Sequence, residues 1–224
     1  MLVASDLINK CSVTLKDTEF VRWTKEELLS YLDEAQREVA RTPGANVKTV
    51  IQSLEEGTQQ SMPEDAYALL TIVRNWNDYG EPTLPVRITT RALLDSFNPY
   101  WHMDPCTTVV ENYVYDDRHP REFFVYPPND GFGAVEMMYT AIPAKLTSVS
   151  AKLALRDEYE VPLIMYMLYR AYTKDSDYSA GLQLASTYYT MYMSSLQAVS
   201  QQKAAATPNA SLAKGAVSPN GGTE

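Results

Sequence analysis

The sequence predicts an α+β fold, with helices at both ends of the folded part, a β-rich insertion between them and an extended C-terminal tail. Three observations predict it. Apolar residues recur at helical spacing near both ends. Runs rich in Tyr, Phe and Val occupy residues of about 84–140, and large apolar side chains almost vanish beyond residue 199. The 224 residues suffice for one large domain with a buried core.

The elements follow in order. Leu7, Ile8, Cys11 and Leu15 line one face of a helix over 4–15, with Ser5 as its expected N-cap. Thr24 and Glu27 form a T-x-x-E capping box for a helix over 25–41. Its apolar stripe is Leu28, Leu29, Leu32, Ala35 and Val39, and Pro43-Gly44 follows its end. Residues 47–54, VKTVIQSL, are β-branched and suit a strand, and Pro63, Glu64 and Asp65 suit the start of a helical turn. ALLTIVRNW fits strand or helix, because periodicity does not separate the two. A turn over 77–82, a strand TLPVRIT and a short helix TRALLDSF come next. VVENYVYD, REFFVYPP and AVEMMYTA then read as an antiparallel meander, with Pro127-Pro128 stopping the second strand.

Two helices close the folded part. Val161, Ile164, Met165, Leu168, Tyr169 and Tyr172 predict a helix over 158–174, with Pro162 tolerated in its first turn. Ser176 or Asp177 caps a helix over 177–199, where Tyr178, Leu182, Ala185, Tyr189, Tyr192 and Leu196 repeat as a heptad-like seam. That seam is core for an antiparallel helix pair, and its flanks, Tyr188 and Met191, suit contact with a neighbouring subunit. Residues 200–224 are Ala, Pro, Gly, Asn and Ser, a composition that free in water stays disordered and that another chain would have to hold.

Charge and cysteine usage exclude several classes. With 28 acidic against 19 basic side chains the formal charge is −9, and no basic stripe exists to grip duplex DNA. Cys11 and Cys106 form no ligand pair and read as reduced, structural thiols. The N-terminus lacks a secretory pattern and no run is long enough to span a membrane, so the chain reads as a soluble protein made in the cytosol.

Chemistry-bearing motifs are absent. No P-loop, nucleophile elbow or HExxH occurs, and Gly131-Phe132-Gly133 fits a turn better than a dinucleotide loop. His102 beside Asp104 and Cys106 lacks the further ligands zinc requires, which favours a loop histidine and a buried thiol, and His119 sits in a charged turn. The competing reading is a small metal-dependent or acid–base hydrolase using carboxylate-rich loops around Asp104 and Asp116.

Three segments carry a resemblance. FVRWTKEELLSYLDEAQREVAR, then LLDSFNPYWH with YVYDDRHPREFFVYPP, then LYRAYTKDSDYSAGLQLASTYY occur in that order. Together they resemble the head-to-tail adaptors (connectors) of tailed phages, including the tail tubular protein A type of short-tailed phages. The resemblance spans residues 1–199 and implies a helical bundle, built of N-terminal helices and a C-terminal helix hairpin, that bears the β-rich insertion. It implies a non-enzymatic, cofactor-free virion protein at the head–tail interface, made in the host cytoplasm. It further implies a homo-oligomeric ring, a dodecamer, between the portal protein and the tail nozzle protein. Genomic DNA would pass along the axis without sequence-specific binding, kept from sticking by negative charge facing the channel. In such adaptors the C-terminal segment docks on the portal, which points to Pro208, Leu212, Val217 and Pro219. The turn 116–121, with Asp116, Asp117, Arg118, His119 and Arg121, is expected to meet a neighbouring subunit or the nozzle. Trp23, Trp101, Tyr113, Tyr115, Tyr126 and Tyr169 are expected in core or subunit contacts.

Overall fold

The computed structural model describes residues 1–77, 79–174 and 179–206. Along the chain lie helices α1 (Ala4–Leu15) and α2 (Lys25–Ala40), then strands β1 (Val47–Ser53), β2 (Glu56–Ser61), β3 (Ala66–Trp76), β4 (Pro82–Pro85) and β5 (Arg87–Ile88). Helix α3 (Arg91–Phe97) is followed by β6 (Asn112–Val114), β7 (Glu122–Asp130) and β8 (Ala134–Ala141). Helices α4 (Glu160–Lys174) and α5 (Ser179–Ala206) complete the described chain. Two compact units result: Met1–Val39 with the chain from Lys145 onward, and Ala40–Ala144.

The helical unit follows its apolar stripes. Leu7, Ile8, Cys11 and Leu15 are buried on α1, and Leu28, Leu32, Ala35 and Val39 on α2. Ser5 does not cap α1; Val3 occupies that position, and the Ala4 N–H is satisfied by the Ala151 carbonyl at 3.0 Å. Thr24 Oγ1 does accept the Glu27 N–H, at 3.2 Å. Asp17 accepts the backbone N–H groups of Val21, Arg22 and Trp23, each at 2.9 Å, and Trp23 Nε1 donates to the Ala171 carbonyl of α4. The buried stripe of α4 is Pro162, Leu163, Met167, Leu168 and Ala171, whereas Val161 is exposed.

Between α4 and α5 runs a ladder of tyrosines. Ring centroids lie 5.3 Å apart for Tyr166–Tyr192, 5.1 Å for Tyr169–Tyr189 and 5.4 Å for the stacked pair Tyr172–Tyr188. Helix α5 continues to Ala206, seven residues beyond its expected end. QQKAAA favours helix, and Lys203 anchors it by donating to Tyr159 Oη at 2.8 Å and pairing with Glu158 at 2.6 Å. The expected caps Ser176 and Asp177, and Tyr178 of the seam, lie outside the described residues.

The β unit begins at β1, well before residue 84, and contains two four-stranded sheets, ordered β1-β8-β3-β4 and β2-β7-β6-β5. The three strands read as a meander separate: β6 and β7 pair antiparallel in one sheet, while β8 crosses to the centre of the other. Inward residues of both sheets share one core, including Leu69, Ile72, Tyr113, Phe123, Val125, Met137 and Tyr139. Pro63–Asp65 form a tight turn into β3, not a helix, closed by Ala66 N–H to the Pro63 carbonyl at 3.0 Å. Strand β3 buries Ala66, Leu69, Ile72 and Asn75, every third residue, because three bulges against β8 each add a residue.

Strand β7 continues through Pro127 and Pro128 to Asp130. The prolines lie where the β2–β7 register shifts, so their missing N–H groups interrupt no ladder bond there. Their sheet remains tied through carbonyls: Pro128 accepts from Thr107 N–H and Tyr126 from Glu111 N–H, both at 2.8 Å.

Candidate functional site

The charged turn joins β6 to β7 and closes on itself. Asp116 accepts from the Arg118 backbone N–H at 3.0 Å and from its guanidinium at 2.9 and 2.7 Å. That guanidinium holds the Asp116 carboxyl well below the usual carboxylate range. Arg121 turns back instead of outward, donating to the Glu64 and Ala66 carbonyls at 2.9 and 3.4 Å. Asp117, Arg118 and His119 are exposed and, with Arg91, Ile88 and Phe124, line an open groove of about 710 Å³.

Above the outer face of the β2-β7-β6-β5 sheet sits the LLDSFNPYWH segment. Thr90 Oγ1 caps α3 by accepting the Leu93 N–H at 3.3 Å. Leu94, Trp101 and Val114 form a small core with Phe124 and Tyr126 packed against it. Trp101 Nε1 donates to Asp95 at 2.8 Å. REFFVYPP therefore buries both faces: Phe123 and Val125 toward the shared core, Phe124 and Tyr126 toward Trp101. Helix α3 and the residues after it, to 103, present Leu93, Phe97, Tyr100 and Met103 outward, between 62% and 84% exposed. Large apolar groups at such exposure mark contact surfaces. Sequence reasoning missed them, because α3 buries only Leu94 and no periodicity distinguishes its two sides.

The expected aromatic positions are internal. Trp23, Trp101 and Tyr113 are buried. Tyr115 Oη accepts the Leu69 N–H at 3.3 Å, Tyr126 Oη donates to Asp104 at 3.1 Å, and Tyr169 joins the tyrosine ladder. Tyr188 stacks on Tyr172 and is half-buried, so it belongs largely to the helix pair, while Met191 is half-exposed. Of the α5 seam, Ala185 and Tyr192 are buried, Leu182 is exposed, and Tyr189 packs one edge on Tyr169 while remaining half-exposed. Pro208, Leu212, Val217 and Pro219 lie outside the described residues.

The groups proposed for chemistry are dispersed. His102 stacks on Trp101 and pairs through Nδ1 with Thr58 Oγ1 at 2.8 Å. Burial, reinforced by the Arg91 charge, lowers its pKa. Cys106 is exposed rather than buried, whereas burial pushes the Cys11 thiol up to about 12. Asp104 accepts from Asn98 at 2.8 Å as well as from Tyr126. Among the described residues no group of three or more His, Cys, Asp or Glu side chains is placed to hold a metal ion. No helix of the described residues is long and apolar enough to cross a membrane.

No curated protein matches the sequence. A family profile does, under the description SU10 adaptor protein, and it reaches beyond residue 199 into the tail. Because that match covers residues 4–213, the chain belongs to the SU10 adaptor protein family and is a structural adaptor of the phage virion.

Proposed function

We propose that the protein forms a ring, a dodecamer, that joins the portal protein above to the tail nozzle protein below, as in adaptors of the tail tubular protein A type. Genomic DNA passes along its axis during ejection without sequence-specific contact. The protein acts as a structural part and catalyses no reaction. It is made in the host cytoplasm and incorporated into the virion. The family match over residues 4–213 carries this reading. The formal charge of −9 and the exposed apolar segment around Phe97 and Tyr100 support it, the first by repelling phosphates and the second by offering anchors for a partner protein.

Contacts are assigned as follows. Pro208, Leu212, Val217 and Pro219 of the tail dock on the portal. Asp116, Asp117, Arg118 and His119, with Arg121 holding the turn in place, meet a neighbouring subunit or the nozzle. Met191, and the exposed edge of Tyr188, meet a neighbouring subunit. The test mixes purified portal rings with the full chain and with a chain ending at Ala206, and weighs the complexes by native mass spectrometry. Ring-on-ring binding by the full chain is expected, weakened when the tail is removed. Failure of the full chain to bind any portal ring would overturn the adaptor reading.

A further inference from the structure

Helix α5 is chemically unlike the rest of the chain. It spans 28 residues and carries one charged side chain, Lys203. Every other named α-helix contains at least one acidic residue. Yet much of α5 is exposed, including Leu182, Leu184, Tyr189, Met191 and Met193 at 41–54%. Large apolar side chains at such exposure on a nearly uncharged helix mark a contact surface.

Its side chains sort into four directions at about 100° per residue. Gly181, Ala185, Tyr192 and Val199 point toward α4. Leu182, Tyr189 and Met193 form one flank, and Leu184 and Met191 form another, roughly 180° away from the first. Opposite α4 lies a ridge of Gln183, Thr187, Thr190, Ser194, Gln197 and Gln201, all exposed, all polar and none charged. The heptad-like repeat in the sequence thus divides between two surfaces: Ala185 and Tyr192 are consumed inside the chain, Leu182 is not, and Tyr189 touches Tyr169 with one edge while its other side stays exposed.

We infer that α5 is the self-association helix of this protein, its Leu182/Tyr189/Met193 flank packing against the Leu184/Met191 flank of α5 in the next copy. Charge selects the occupant. Either flank would bury an unpaired charge if a charged helix covered it, which is costly, so the matching surface is itself uncharged. Among the described helices α5 alone offers that over its length. Two different flanks on opposite sides make the contact heterologous, which adds copy after copy instead of stopping at a dimer and forms a ring where the rotation closes. This rests on the ring reading above and specifies its seam. Copies of one element in a ring approach most closely at the smallest radius, so abutting α5 helices line the inner wall. The ridge then faces the channel, and the channel is uncharged instead of acidic at this level. About twelve helices spaced about 9 Å apart close a circle roughly 35 Å across at their axes, leaving a bore of about 25 Å, compatible with a DNA duplex.

The test uses the full chain, portal rings and two variants: Leu182→Glu with Met193→Glu, and Leu184→Glu with Met191→Glu. All four positions are half-exposed, so both variants are expected to keep the wild-type circular dichroism spectrum and melting profile. Native mass spectrometry should show wild-type protein as rings on the portal and neither variant alone as a closed ring. Mixed one to one, the variants should stop at a heterodimer, because each retains the flank that the other needs. Variants that close rings of wild-type size would overturn the seam while leaving the ring reading intact. Absence of any ring from wild-type protein would overturn both. A second set, on a Cys106→Ser background, places cysteines at Met193 and Met191. The double variant should cross-link into ladders up to the ring size, whereas cross-linking to dimers by Met193→Cys alone would show a symmetric contact and overturn the heterologous one.

Discussion

At Gly133 a methyl group would lie 2.3 Å from both Asn129 Nδ2 and the Thr108 carbonyl, so the backbone there passes too close for any side chain. Asn129 is fully buried and ties that turn to residues 107 and 108: its Nδ2 donates to the Thr107 and Thr108 carbonyls, and its Oδ1 accepts from Gly131 and Gly133 N–H. Gly133→Ala is expected to cost about 1–3 kcal/mol, read as a lower midpoint in urea unfolding, since relief requires a backbone shift. A second residue-scale prediction concerns acid. The Trp23 N–H, joined by those of Val21 and Arg22, holds the Asp17 carboxyl below its ordinary value. The folded loop therefore binds the carboxylate in preference to the acid. That stabilisation is complete above about pH 4 and is lost as the pH falls through the lowered folded value. Asp17→Asn should accordingly be less stable than wild type at pH 7, with the difference closing in parallel thermal melts as the pH falls through the lowered folded value. A constant difference across that range would refute the assignment.

At the scale of elements, a strand here is specified by what covers each of its faces. Strand β7 is covered on both, so Trp101 acts as the core of a second, smaller layer formed with Leu94 and Val114. Trp101→Ala should cost roughly 3–5 kcal/mol, measured by chemical unfolding. The end of α5 has a comparable test. Ending the chain after Val199 removes Lys203 and its bonds to Glu158 and Tyr159, whereas ending it after Ala206 keeps them. The shorter chain should show lower helicity and a lower melting temperature, and the longer should match the full chain. Equal melting of the two would mean that Lys203 contributes nothing to the helix end.

For the whole molecule the informative quantity is charge. On the proposal that DNA passes through the ring without being gripped, a protein of formal charge −9 should leave a linear duplex unshifted in a gel at low salt, where electrostatic binding is strongest. Retardation that disappears with added salt would expose a basic surface and contradict passage without binding. Membership of the adaptor family implies association with other virion components, and the exposed apolar residues at Phe97, Tyr100 and on α5 offer surfaces suited to such contacts.

Much of this was legible in the sequence by itself. The helices over 4–15 and 25–41 match α1 and α2 within a residue, because each buries one apolar stripe against its own unit. AVEMMYTA matches β8, where period-two alternation meets a buried face. The adaptor resemblance rested on ordered local motifs, which need no tertiary knowledge. What the sequence could not decide depends on partners distant in the chain. Strand β2 was invisible because its inward residues are polar: Thr58 and Gln60 are buried, and Gln60 spends its amide on Glu55 and Gly57. Strand β3 imitated a helix because bulges against β8 turn its period into three. The assignment of β7 and β8 to different sheets, and of Arg121 to the backbone of residues 64 and 66, arises only when the strands pair. On α5 the repeat was readable, but which half of it faces α4 was not: helical spacing sets angles around an axis, and only packing chooses which angles are inside.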